Sequence, residues 1–277
     1  MKKHNIKQLK EIANTLRQDV IRMLAKAGSG HPGGSLGMAD IFSALYFNVL
    51  KHNPKKSKWS KRDRLCLSCG HIVPIRYAAM ARSGYFTVAK LMTLRKLGSA
   101  LQGHPSYLDM PALEHSSGPL GQGVSVAVGM ALAAKINKQK HFVYCITSDG
   151  EHNEGQTWEA IMTAAKYKLD NLIFILDRNM IQIDGKTEKI MPLEPLKAKY
   201  QAFNWSVLEI DGNDMKQVLT ALNKAKKIKG KPKVILAHTV PGKGVSFMEN
   251  KWEWHGKAPS VGEAKRALEE LGSQLSW

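Results

Sequence analysis

Apolar residues at Ile6, Leu9, Ile12, Ala13, Leu16, Val20, Met23, Leu24 and Ala27 recur every three or four positions, which predicts an amphipathic helix over 6–27. Gly28 supplies its stop. Similar spacing predicts helices over 39–50, 73–83, 88–97, 124–137, 155–168, 215–227 and 262–271. Between them lie short apolar runs rich in β-branched residues, read as strands at 65–68, 141–147, 171–177, 206–210 and 233–240. Strands that alternate with helices imply an α/β fold, a mainly parallel sheet covered by helices on both faces.

The 277 residues suit one sizeable unit over 1–277, with no linker, repeat or low-complexity segment to divide it. At 43% hydrophobic and 23% charged the composition is that of a globular protein, not a disordered or fibrous one. The basic start at 1–10 is followed by no signal-peptide core, and no apolar run is long enough to span a bilayer, so the expectation is a cytoplasmic protein without a membrane partner. Three cysteines, Cys66, Cys69 and Cys145, cannot all pair and fit a reducing compartment. Cys66-x-x-Cys69 lacks the second pair that structural zinc requires, which favours buried thiols. The net charge of +18 gathers at 2–10, 51–64 and 224–233 and suits an acidic partner. These clusters lack interleaved aromatics at a recognisable spacing, so nucleic acid is not the expected partner.

The candidate chemistry lies in the segment 141–179. A strand, a helix carrying Trp158, Ile161, Met162 and Ala165, and a second strand form a βαβ unit. Its right-handed crossover returns the second strand parallel to the first, so Asp149 and Asn179, thirty positions apart, face one crevice. Open parallel sheets bind ligands at the carboxyl ends of their strands, and a carboxylate with an amide oxygen suits Mg²⁺ held against phosphates. Either residue alone would pass for a turn residue. Two look-alikes fail: Gly28-x-Gly30-x-x-Gly33 follows a helix where a dinucleotide site needs a strand, and Gly185-Lys186-Thr187 has Met180 where a P-loop needs its first glycine. His31, His71, His104 and His255 each stand beside Gly or Pro in a loop, where the backbone can approach a ligand closely.

Ser148-Asp149-Gly150-Glu151 followed by Asp177-Arg178-Asn179-Met180-Ile181 resembles the thiamine diphosphate motif that begins GDG and ends in asparagine. Five further blocks extend the resemblance in collinear order: 28–37, 67–71, 103–105, 118–123 and 255–259, together with Asp184-Gly185. In that order they resemble the amino-terminal, diphosphate-binding domain of transketolase. The resemblance covers nearly the whole chain.

It implies thiamine diphosphate and Mg²⁺, or Ca²⁺ or Mn²⁺ in its place, as cofactors. The metal would be held by Asp149, Asn179 and the backbone carbonyl of Ile181. His71, Gly118, Leu120, Gly121, Gly150, Glu151, Asn179 and His255 would contact the organic cofactor. His31, His104 and His255 would approach the sugar, with His31 and His104 nearest to it. Glu154, otherwise a helix-start charge, would meet an acidic group across a subunit interface and relay protons. Two positions depart from the pattern: Ser148 replaces the first glycine of GDG, and Cys69 stands where a polar residue or lysine is common.

The implied activity is transfer of a two-carbon ketol unit from a ketose phosphate to an aldose phosphate. A transketolase also needs a pyrimidine-binding and a carboxyl-terminal domain, for which 277 residues leave no room. The expected partner is therefore a second polypeptide that carries them, in an α2β2 heterotetramer. Alternatives are a subunit of another thiamine enzyme, similar to deoxyxylulose phosphate synthase or to a 2-oxo acid dehydrogenase α-subunit, and a non-catalytic regulatory paralogue.

Overall fold

The computed structural model describes residues 3–275. Met1, Lys2, Ser276 and Trp277 lie outside the described residues, and with them one lysine of the 2–10 cluster and the extreme ends of the expected 1–277 unit. In chain order the elements are α1 (Ile6–Ala27), α2 (Pro32–Gly37), α3 (Ala39–Ala44), β1 (Arg64–Leu67), α4 (Val73–Arg82), α5 (Gln122–Ile136), β2 (Val143–Ser148) and α6 (Gly155–Lys166). Then follow β3 (Leu172–Arg178), the hairpin strands β4 (Ile181–Gln182) and β5 (Gly185–Lys186), and α7 (Thr187–Ile190). The chain closes with α8 (Leu196–Ala202), β6 (Ser206–Asp211), α9 (Met215–Lys227), β7 (Lys233–His238) and α10 (Val261–Glu270).

Local signals set the helix ends. Asn5 and Gln8 form a reciprocal capping box at the start of α1, and Gly28, left-handed at φ 71°, returns its N–H to the Leu24 carbonyl. Ser260 and Glu263 repeat the capping box on α10. Asp214 caps α9 by accepting from the N–H groups of Lys216 and Gln217.

The main sheet has five strands in the order β1-β2-β3-β7-β6, and every pairing is parallel. Alternate residues feed two cores. Tyr144, Ile146, Ile173, Ile175 and Ile235 pack with α1, α3 and α4 on one face. Val143, Cys145, Leu172, Phe174 and Leu236 pack with α5, α6 and Tyr200 of α8 on the other. Burial on both faces explains why β2 and β3 read as continuous apolar runs.

Three expectations change. The helix expected at 88–97 is only a short 3₁₀ turn, Val88–Thr93, because Arg95 (φ 59°) and Gly98 (φ 75°) take left-handed backbones that stop a helix. The helix expected at 39–50 widens to π-type winding from Leu45 to Val49. Met162, counted toward the apolar stripe of α6, faces outward at 56% exposure. All three cysteines are buried and free, as read. Cys69 directs its thiol to the Ile146 carbonyl. Among the described residues no helix is long and apolar enough to cross a membrane.

His152 links the turn after β2 to α8. A carbonyl can only accept, so Nδ1–H donates to Ser148 O at 2.8 Å, and Nε2 accepts from the Tyr200 hydroxyl at 2.7 Å. Burial pushes its pKa from 6.5 down to about 4. The depressed value makes the neutral ring a stabilising element above pH 6.5, and that stabilisation is lost as the pH falls toward 4. Its full size is roughly 3 kcal/mol. The thermal midpoint should therefore fall across this window, and His152→Gln should flatten the fall. An unchanged acid slope in the variant would exclude this histidine as a source.

Candidate functional site

The carboxyl ends of β2 and β3 meet at the sheet centre, where Ser148 pairs in register with Asp177. Asp149 and Asn179 follow directly, at the edge of a cleft of about 390 Å³. His31, His71, Gly118, Leu120, Gly150, Glu154, Asn179, Ile181 and His255 line this cleft. Those nine are predicted site residues. Asp149, Glu151 and Gly121 lie behind the lining, and His104 stands beside it with its ring 3.6 Å from where a Cβ on Gly118 would lie.

Asp149 is fully buried. Its Oδ2 accepts from Met180 N–H at 2.7 Å and from the Thr187 hydroxyl at 3.2 Å, and lies 3.1 Å from Arg178 Nη1. Its Oδ1 has no partner. Arg178 also faces Glu188 and Glu194 through Nη2, at 2.6 and 2.7 Å. The Met180 contact requires a left-handed backbone, φ 64°, on a residue that is not glycine, an uncommon conformation that tends to mark functional turns. Asn179 is held in one orientation: Nδ2 donates to Asp177 Oδ2 at 2.8 Å, and Oδ1 accepts from Ile181 N–H at 3.0 Å. The Thr239 hydroxyl donates to the other Asp177 oxygen.

Three acids are thus enclosed near one point. Burial pushes Asp149 up to about 6 and Asp177 up to about 7, the latter also through repulsion from Asp149. Burial likewise raises Glu151 to about 7, against hydrogen bonds to Oε1 from the Ser68 hydroxyl and from Gly121 N–H. The donor set fits a divalent cation: an enclosed carboxylate oxygen without a hydrogen-bond partner, beside a fixed amide oxygen, is a hard-ligand pair, although Arg178 already supplies one positive charge to the other carboxylate oxygen.

The four histidines cluster above this point. His31 lies with its ring centre 5.2 Å from His71, 5.7 Å from His255 and 6.3 Å from His104, and His71 lies 5.0 Å from His255. Burial first, then mutual repulsion, pushes His31 down to about 4 and His71 well below its usual range. His104 and His255 are lowered as well, by burial and, for His104, by Arg95. Neutral imidazoles that both donate and accept suit a hydroxylated ligand.

Glycines make the crowding possible. Gly121 is left-handed at φ 79°, and a Cβ there would come within 2.9 Å of Glu154 Cβ. A Cβ on Gly34 would lie 2.8 Å from Ile72 and 3.4 Å from Asp177 Oδ2. Glu154 opens α6 and makes no capping bond, which leaves its carboxylate free at the cleft mouth.

No motif singled out Asp177, Arg178, Thr187, Gln182 or Arg95 for a role of its own. The first two could have been suspected as polar residues at the end of an otherwise apolar strand. Thr187 belongs to the Gly-Lys-Thr triplet rejected as a P-loop, yet it bonds Asp149. Gln182, with a buried, unpartnered Oε1, lines the cleft from the hairpin.

A parallel sheet with a fixed acid and amide at its central strand ends, below a cleft of neutral histidines, defines an α/β domain whose binding site lies at the carboxyl ends of its strands. The chain belongs to the family described as transketolase, thiamine diphosphate binding domain, whose model matches residues 8–276. It is 43% identical to a 6-deoxy-6-sulfo-D-fructose transketolase subunit of Clostridium sp., over 95% of this chain and 96% of that one. It is 39% identical to an apulose-4-phosphate transketolase subunit of Phocaeicola vulgatus, over 94% and 92%. The crystal structure of transketolase from Campylobacter jejuni superposes with a TM-score of 0.94 at 39% identity, over 99% of this chain and 44% of that one. The chain thus spans less than half the length of the solved transketolase while matching the subunit relatives along almost their whole length.

Proposed function

We propose that this chain is the diphosphate-binding subunit of a two-chain transketolase, which moves a two-carbon ketol unit from a ketose phosphate to an aldose phosphate. The observation that carries the reading is the enclosed, unpartnered Asp149 Oδ1 beside the oriented Asn179 amide, at the floor of a cleft lined by neutral histidines. Asp149, Asn179 and the Ile181 carbonyl would hold Mg²⁺. His71, His255, Gly118, Leu120, Gly121, Gly150 and Asn179 would surround thiamine diphosphate. Glu151 acts from behind, fixing the Gly121 loop to Ser68. Thiamine diphosphate, when bound, supplies the nucleophilic carbon that carries the ketol unit.

His31, His104 and His255 would orient the sugar hydroxyls and shuttle their protons, which neutral rings can accept and return. Glu154, exposed at the mouth, would meet a group of the partner chain. The partner would bring the pyrimidine-binding and carboxyl-terminal domains, in an α2β2 assembly working in the cytoplasm. Relatives described as transketolase subunits, matched over 92–96% of their length, support a divided enzyme. The test mixes the chain with its carboxyl-terminal partner, thiamine diphosphate and Mg²⁺ and follows ketol transfer from xylulose 5-phosphate to ribose 5-phosphate. Transfer by the mixture, with neither chain active alone, is expected. Full activity of this chain alone would refute the divided enzyme, and an inactive, well-formed complex would refute the assignment.

A further inference from the structure

Arg95 stands between the loops that carry His31 and His104. Its left-handed backbone, φ 59°, lets its N–H donate to the Leu101 carbonyl at 2.9 Å, which closes a turn over 95–101. The guanidinium lies against glycines: a Cβ on Gly103 would come within 2.8 Å of its Nε and Cζ, and one on Gly30 within 3.6 Å of Nε. Any larger residue at 103 would push it away.

Among the described residues this cation has no counter-charge. Arg17, Arg62, Arg82 and Arg178 each face a carboxylate. Among the described residues no carboxylate lies within 4 Å of Arg95; its Nε is buried without a partner, and the contact from Nη1 to the Ser29 hydroxyl is long, at 3.5 Å. Burial lowers its pKa, and its field helps to keep His31 and His104 neutral. A half-buried guanidinium without an anion is costly unless a ligand brings one, and its planar fork matches tetrahedral oxyanions.

We propose that Arg95, with Ser29 beside it, recognises the terminal oxyanion, phosphate or sulfonate, of the sugar substrate. Part of the substrate's charge is then read by this chain and not only by its partner. The inference rests on the ketol-transfer reading above.

The test uses the assembled complex and Arg95→Gln. KM for ribose 5-phosphate should rise about 10-fold or more, as for a lost charge-assisted contact. KM for unphosphorylated ribose and the affinity for thiamine diphosphate should stay unchanged, and Arg95→Lys should recover part of the loss. Equal losses on both sugars, no change on either, or weakened cofactor binding would overturn the proposal. If the wild-type complex transfers no ketol, the functional reading fails, and imidazole NMR signals of the full chain decide the anion site separately. Inorganic phosphate or methanesulfonate should shift the His31 and His104 signals in the wild type and not in Arg95→Gln, and the stronger of the two identifies the oxyanion. The same response in both proteins would remove Arg95 from anion recognition.

Discussion

Asp149→Asn should abolish Mg²⁺-dependent binding of thiamine diphosphate while the chain remains folded. The amide keeps the shape of the carboxylate, and its oxygen can still accept from Met180 N–H and the Thr187 hydroxyl. Arg178 keeps Glu188 and Glu194, so no cation is stranded by the change. What disappears is the negative charge of the carboxylate whose Oδ1 has no hydrogen-bond partner, and with it the anionic ligand a divalent cation would take here. Loss of a direct ligand should exceed the 10- to 100-fold typical of supporting residues, so a decrease on the order of 100-fold or more is expected. Titration calorimetry with and without Mg²⁺, beside circular dichroism to verify folding, reads the effect. Wild-type affinity in the variant would show that the metal binds elsewhere.

The second large effect is on stability. Gly123→Ala should destabilise the chain by about 1–3 kcal/mol, the range for overpacked interiors. A Cβ at this position would lie 2.7 Å from Ser68 Cα and 2.8 Å from Ser68 Cβ, so backbone and not a side-chain tip must move. The usual gain of up to about 1 kcal/mol for alanine over glycine in a helix does not offset this. Gly129 in the same helix is an internal control: it is exposed, and a methyl there would meet nothing within 4 Å beyond its chain neighbours and its own helix backbone, so Gly129→Ala should stabilise by that amount. Moving Ser68 also loosens its bond to Glu151 and hence the hold on Gly121. Cofactor affinity should therefore drop with stability in Gly123→Ala and stay put in Gly129→Ala. Denaturant midpoints and calorimetry on the two variants check both halves; equal behaviour would sever the link between α5 and the cleft.

Elements with strong periodicity were legible from the residues alone. α1 and α9 were predicted at their observed bounds because polar and apolar faces separate cleanly along them. The βαβ unit was legible because β2 and β3 are apolar throughout and break at polar residues. The helix α8 was not: seven residues with only Leu196 and Tyr200 buried give too few turns for a period to emerge. The hairpin at 181–186 was hidden too, since two-residue strands carry no alternation. Within the site, residues set by Gly-rich motifs were legible, whereas Thr187, Gln182 and Arg95 reach it through tertiary placement that no spacing rule encodes.

The two-sided sheet limits how the chain can change length. Successive residues of β2 and β3 serve opposite cores, so one residue inserted into either strand would exchange every following side chain between them. It would also carry Asp149 or Asn179 off the strand end that holds it. The turn over 95–101 and the His104 loop are under no such constraint, because they lie outside the ladder. Insertions and deletions are therefore admissible around 95–104 and forbidden at the ends of β2 and β3, so that the rim of the cleft can change length while Asp149 and Asn179 stay in register.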